Sequence, residues 1–337
     1  MRNSRHDRGF DGCAGPITCN CCLGNGCYHR KSSPTLGPVI GAFVTEDAGW
    51  RWVFWLIAII GGLVAIPCLF LMQETHEPTI LRRQVVTSPG KGPEQGDVRA
   101  TGNELSSHRL RDAALRPLSL LCTDLSVLSL SVYSALAAAY LYILLTTLAE
   151  TYTTIYGFSI GIAGLVYLSL GIGAIAGQII YSMLSDRSVS YHTARGNYKP
   201  EYRLLWMPIG SIAMPLGLIW YGWMVEKRVH WIVSIIALFP CGVGLVIDMV
   251  APIAYLIDAC PDYTASAVAG TVVARALAAS FLPLVGFPLY DRLGQGWGNS
   301  LLALIALLLA PLPILMFHFG ERLRPRVGRM PILGSDS

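Results

Sequence analysis

The sequence predicts an all-α, polytopic membrane protein, and three observations predict it. Hydrophobic residues make up 53% of the 337 residues and charged residues only 14%, for a mean hydropathy of +0.51; a soluble domain carries about 25% charge. The charges withdraw into a few segments and leave long uncharged stretches between them. Those stretches match the bilayer, whose hydrocarbon core takes roughly 20 apolar residues at about 1.5 Å rise each.

Taken in order, residues 1–33 form an atypical tail that holds Cys13, Cys19, Cys21, Cys22 and Cys27, five of the nine cysteines. Paired C-x2-C units are missing, so no metal site and no cofactor is expected. The tail has no apolar core of a secretory signal, so the first span is expected to direct insertion. Residues 34–44 are apolar and rich in Gly and Pro but too short to cross alone. Residues 52–72 form the first predicted span, and 34–72 make one membrane unit. Residues 73–117 follow as a linker rich in Pro, Gly, Ser and charge, which cannot bury enough apolar surface to fold alone.

Beyond the linker, residues 125–149, 151–185, 204–225 and 293–320 are free of Lys, Arg, Asp and Glu. Residues 229–257 and 263–290 are equally apolar but contain Asp248 and Arg275 respectively. Because backbone in lipid must satisfy its own hydrogen bonds, all are predicted to be helices, so residues 118–321 form a six-helix membrane unit. Cys68, Cys122, Cys241 and Cys260 lie in or beside spans and are expected to be packing residues. Basic residues gather in the linker, in the 186–203 loop (Arg187, Arg195, Lys199, Arg203) and in the tail 322–337 (Arg322, Arg324, Arg326, Arg329). Alternating helices put all three on one face, which the positive-inside rule makes cytoplasmic.

One span before the linker and six after it is a lopsided division. Many transporters consist of two six-helix halves joined by a long cytoplasmic loop. The second unit here has the size of a complete half, and residues 34–72 the look of a remnant of the other.

Specific residues then carry a resemblance. Leu36-Gly37-Pro38-Val39-Ile40-Gly41 resembles the antiporter motif that ends the fifth helix of drug:proton antiporters of the major facilitator superfamily, in the fungal twelve-span branch. Gly49-Trp50-Arg51-Trp52-Val53-Phe54-Trp55 is similar to the entry of that branch's sixth helix, and Gln73-Glu74-Thr75-His76-Glu77-Pro78 to its end. Tyr156-Gly157-Phe158-Ser159 with Gly164-Leu165 resembles the junction of helices seven and eight, and Leu184-Ser185-Asp186-Arg187 the second-half loop motif. Tyr255-Leu256-Ile257-Asp258-Ala259 with Ala265-Ser266-Ala267 is similar to the turn between helices ten and eleven. Ala42 stands in place of the motif's last glycine and Ser182 in place of the loop motif's glycine. The resemblance implies a C-terminal six-helix bundle of the major-facilitator type plus the remnant of an N-terminal half, with helices one to four and their gating motif absent.

Two of the candidate functional residues are charges at bilayer depth, a functional hypothesis by default. Counting back from the turn at 260–262 places Asp248 and Arg275 roughly 15 to 20 Å from the same ends of two antiparallel helices. An ion pair between them is expected, either proton- or substrate-sensitive or a fixed brace. Glu150, near the other end of its helix, either takes up a proton or a cation through partial burial or is solvated. Tyr140 and Gln178, with Tyr133 and Tyr142, either line a cavity for varied apolar molecules or pack and anchor. Gly161, Gly164, Gly171, Gly173 and Gly177 lie in one helix and include a G-x-x-x-G at Gly173 and Gly177 that permits close helix approach, and the resemblance implies that this helix packs on the Gly37-Pro38 segment. Gly37, Pro38 and Gly41 carry the implied conformational motif, with helix distortion by proline as the plainer reading. Asp186 and Arg187 carry the implied charge contact, or are solvated.

The function implied is proton-coupled export of small amphipathic or drug-like molecules by alternating access, at the plasma membrane, with protons, substrate and lipid bilayer as partners. A transport-inactive truncated fragment and a seven-helix receptor compete with it. Retinal chemistry is excluded because residues 301–319 contain no lysine. No nucleophile elbow, His cluster or phosphate-cradling loop marks an enzyme, and the net charge of +4 follows from loop bias rather than a nucleic-acid-binding face.

Overall fold

The computed structural model describes residues 33–71, 117, 119–122, 124–196, 199–260 and 264–323. Residues 1–32 of the cysteine-rich tail, 73–116 of the linker and 324–337 of the basic C-terminal tail lie outside these residues. All regular structure described is helical: α1 (Ser33–Ala48), α2 (Trp50–Leu71), α3 (Leu125–Tyr156), α4 (Ile160–Leu165), α5 (Tyr167–Ala194), a 3-10 turn (Pro200–Arg203), α6 (Met207–Glu226), α7 (Trp231–Ala259), α8 (Thr264–Leu309) and α9 (Pro311–Leu323).

Six of the described helical stretches are long and apolar enough to cross a membrane, the last covering Thr264–His318. A straight helix of those 55 residues would be about 80 Å long, more than twice the hydrocarbon core. Gly294 resolves the conflict, because its φ of 77° and ψ of 173° break α8 into two arms. Across the break the Tyr290 hydroxyl donates to Asn299 Oδ1 at 3.0 Å, a reach that only a fold-back permits. Glu226 Oε2 accepts from Gln295 N at 2.8 Å and Gly296 N at 3.2 Å, satisfying amides at the start of the second arm that no helical carbonyl can reach. The arms are therefore separate spans, which with the other five makes seven among the described residues, the number the sequence predicts.

Local signals end the other helices where they do. Gly157 at the end of α3 adopts φ 70°, and its amide bonds back to the Tyr152 carbonyl, a six-to-one closure that glycine in the left-handed region allows; the Phe158 amide reaches the same carbonyl at 3.2 Å. Val166 alone separates α4 from α5.

Helices α3 to α9 form one bundle in which α3 packs on α8, α6 on α7 and α8, and α7 on α5. Glycine permits the closest approaches. A Cβ on Gly177 would stand 2.6 Å from the Val243 carbonyl oxygen, and one on Gly173 would strike that of Phe239. The buried core divides into two clusters, one around Tyr140, Leu148, Tyr152, Leu218 and Tyr221, the other around Leu130, Tyr133, Tyr181, Met207 and Tyr255. Helix α1 leans on α4 and α5, and α2 touches α1.

Candidate functional site

A small cavity sits where the two core clusters meet. It is lined by Tyr133, Ala137 and Tyr140 of α3, Ser211 and Met214 of α6, Asp248 of α7 and Ala306 of the second arm of α8. It has room for about one water molecule, far from the roughly 300–1,000 Å³ of a drug-sized pocket. Asp248 is 2% exposed, and its Oδ1 has no hydrogen-bond partner. A carboxylate so placed in a membrane helix is costly unless compensated. Its helix lies hard against α6 at this point, since a Cβ on Gly210 would come within 2.6 Å of Asp248 Oδ1.

Hydrogen-bond direction around the cavity follows from the donors available. The Ser211 hydroxyl donates to the Met207 carbonyl at 3.2 Å, so the 2.6 Å contact between the Tyr133 and Ser211 oxygens takes its proton from Tyr133. The Tyr140 hydroxyl donates to the Leu302 carbonyl at 2.9 Å, which ties α3 to the second arm of α8. Tyr133 and Tyr140 are thus cavity walls, whereas Tyr142 is exposed.

The expected Asp248–Arg275 ion pair does not form. Arg275 lies in the first arm of α8 with an unpartnered Nε, on the side of the bundle that carries Tyr142. Equal depth is not equal facing, because each residue turns a helix by about 100°. Asp248 points at α6 and one face of α3, and Arg275 at the face that carries Tyr142.

Of the remaining expected residues, Gln178 is buried and donates to Ser182 Oγ at 3.2 Å, with its Oε1 unpartnered, but it does not line the cavity. Glu150 is exposed. The G-x-x-x-G of α5 meets α7 rather than α1. Contact with α1 falls one turn or more earlier, where a Cβ on Gly164 would lie 2.5 Å from Ala42 Cβ and 3.6 Å from the Pro38 and Val39 carbonyl oxygens. The bare backbone of Gly164 thereby makes room for the methyl group of Ala42. Gly37 and Gly41 have nothing within 4 Å of a built Cβ. Glu46, in the last turn of α1, accepts from the Gly161 amide at 2.5 Å.

Asp186 is matched with a partner that sequence reasoning missed. Arg203 Nε donates to Asp258 Oδ2 at 2.7 Å, and its Nη1 lies 3.8 Å from Asp186 Oδ1. Arg187 is exposed and joins no ion pair among the described residues. Both missed residues stand inside readings already made, Asp258 in a resemblance motif and Arg203 among the loop cations. Their junction needs the 3-10 turn to bring the 200–203 backbone beside the end of α7. No group of His, Cys, Asp and Glu able to hold a metal occurs among the described residues.

A family profile described as Major Facilitator Superfamily matches residues 32–283. The MFS transporter cpaT of Aspergillus oryzae is 39% identical over 300 residues, covering 86% of this chain and 60% of the relative. The MFS-type transporter hepF of Aspergillus oryzae (strain ATCC 42149 / RIB 40) is 40% identical over 303 residues, 87% of this chain and 60% of the relative. The efflux pump radE of Floropilus chiversii is 36% identical over 308 residues, 86% of this chain and 55% of the relative. The chain spans about 60% of the length of the curated relatives it matches.

Proposed function

The chain belongs to the major facilitator superfamily, a non-enzymatic transporter family, and from that premise we propose that it serves proton-coupled export of small amphipathic molecules across the fungal plasma membrane. The relatives' printed names include an efflux pump, which supports the outward direction. In this reading residues 118–321 are one six-helix half, 34–72 end the other half, 73–117 link them on the cytoplasmic side, and the C-terminal tail is cytoplasmic. Alternating access moves one half against the other. The contact of α1 with α4 and α5 is where they slide, with Gly37, Pro38 and Gly41 letting α1 distort.

The observation that carries the proposal is Asp248: a buried carboxylate with an unpartnered oxygen, facing a polar cavity inside a membrane bundle. A group of this kind is held in a transporter because its charge state biases one conformation over another. The cavity is too small for cargo, so Asp248 and Tyr140 belong to the proton's path. Gln178, Glu150 and Arg275 stand on other faces, as candidates for contact with substrate.

Expression of the chain in a drug-sensitive yeast tests the reading. Survival on a panel of amphipathic toxic compounds is expected to rise, and Asp248→Asn is expected to abolish the gain while the protein still reaches the membrane. Equal protection by wild type and Asp248→Asn would remove Asp248 from the mechanism, and no protection by either would end the export reading for this chain.

A further inference from the structure

Two prolines single out the residues that face each other across the cavity. Proline lacks an amide hydrogen and its ring crowds the carbonyl four residues earlier, so that carbonyl loses its helical partner. In α7, Pro252 leaves the carbonyl of Asp248 without its ladder bond. In α6, Pro215 does the same to the carbonyl of Ser211. The two weakened turns adjoin, because Gly210 abuts Asp248 Oδ1, and Asp248 and Ser211 line the same cavity. Kinks in helices concentrate at such breaks.

The Tyr133 hydroxyl stands between these two points. It donates to Ser211 Oγ and it shares the cavity with Asp248. Among the described residues lining the cavity no other charged group faces Asp248: α3 presents Tyr133 and Tyr140, α6 presents Gly210, Ser211 and Met214, the second arm of α8 presents Ala306, and α5 meets α7 through Gly173 and Gly177.

We propose that Tyr133 reads the charge state of Asp248, donating to Ser211 when the carboxyl is protonated and to Asp248 when it is ionised, so that α6 and α7 bend at their proline-weakened turns. The proton leaves the Asp248 carboxyl for water, and Tyr133 keeps its own proton and only changes acceptor. Losing the Tyr133 bond frees α6 at Ser211, and gaining it holds α7 at Asp248. Tyr133 is a positioning residue in this scheme. Its use in transport rests on the proton-coupled reading above, but its operation does not need cargo.

Infrared difference spectroscopy of the chain in lipid nanodiscs, titrated with pH, tests the first step. A protonated-carboxyl band that disappears as pH rises is expected, and Asp248→Asn should remove it. Tyr133→Phe, which keeps the ring, should retain the band but bind the proton about tenfold more tightly, because a hydrogen bond to the ionised form is lost and one pKa unit is a factor of ten. Hydrogen exchange of the α6 and α7 amides tests the second step: protection should change across the same pH range in wild type. Pro252→Ala, which can restore the bond to the Asp248 carbonyl, should keep the infrared titration and flatten the exchange response of α7. A band midpoint unmoved by Tyr133→Phe, or exchange that ignores pH in wild type, would overturn the proposal. If the titration and its coupling hold while toxin export fails, the switch stands and the export reading falls; if export is present while the coupling is absent, the reverse follows.

Discussion

Helices α2 and α7 are both apolar along their whole length, yet none of the α2 window that qualifies as a membrane span is buried, against 61% of the α7 window. The difference does not lie in how greasy they are, since α2 is the more apolar of the two. It lies in the neighbours each helix has among the described residues. Gly242 of α7 meets the Leu170 carbonyl of α5, and Gly244 sits against Met214 of α6, whereas Gly61 and Gly62 of α2 have nothing within 4 Å. In α7, Asp248 faces a cavity and Asp258 holds Arg203; α2 has one charge, Arg51 at its start. Apolarity reports the solvent a helix lives in, while small residues and rare charges report its neighbours.

The sharpest way to break this contrast is at Arg203. Its pair with Asp258 is largely shielded, with side-chain exposures of 11% and 17%, and removal of one partner leaves the other charge buried. Arg203→Ala should destabilise the bundle by about 3 kcal/mol, measured as a lower melting temperature in detergent. Asp186→Asn should cost much less, because Asp186 is over half exposed and 3.8 Å away. A double-mutant cycle of Arg203→Ala with Asp258→Asn should recover most of the Arg203 loss.

Glycine provides the next test. Gly173→Leu drives a side chain into the backbone of Phe239, and overpacking of this kind costs about 1–3 kcal/mol. Gly61→Leu on α2 meets open space and should stay within about 0.5 kcal/mol of wild type. Equal losses at the two positions would erase the distinction between the helices.

A smaller effect is expected where the two regions touch. Glu46→Ala removes the acceptor of the Gly161 amide and should raise hydrogen exchange in α4 while leaving α7 unchanged. The cost is of the order of a lost helix cap, about 1 kcal/mol or less.

The smallest effect concerns Asp124, the residue before α3, which makes no capping bond and is 3% exposed. Burial raises its pKa above the ordinary carboxylate value. The folded state therefore holds this proton where the unfolded chain has already lost it, so stability falls as pH rises from the ordinary value through the raised one and is flat above. Asp124→Asn should remove that slope and be slightly more stable than wild type at neutral pH, as a pH series of melting curves would register.

Much of this molecule was legible residue by residue. The spans and the presence of Asp248 and Arg275 within them follow from runs of apolar residues, but the break expected at Glu150 falls at Gly157, because one charge near a helix end does not interrupt the hydrogen-bond ladder. Gly157 and Gly294 stand at helix ends, as expected of glycine, and Pro252 and Pro215 stand four residues after Asp248 and Ser211 for anyone counting. What stayed hidden was facing. The Asp248–Arg275 pairing failed because depth was counted and rotation was not. Arg203 was weighed as one loop cation among several, when the 3-10 turn carries it to Asp258. Gly161 and Gly164 make the contact with α1 that the resemblance implies for this helix, while Gly173 and Gly177 meet α7, and only the folded bundle divides the glycines in this way.

Solvent preference is a sum over neighbouring residues, so the sequence alone determined that these segments are membrane helices. Which helix meets which, and which side chains converge on the Asp248 cavity, depends on the rotational phase of helices far apart in the chain. Close packing at Gly173, Gly177, Gly210 and Gly242 sets that phase, and only the assembled bundle contains it, because a contact requires two surfaces and each stretch of sequence describes one.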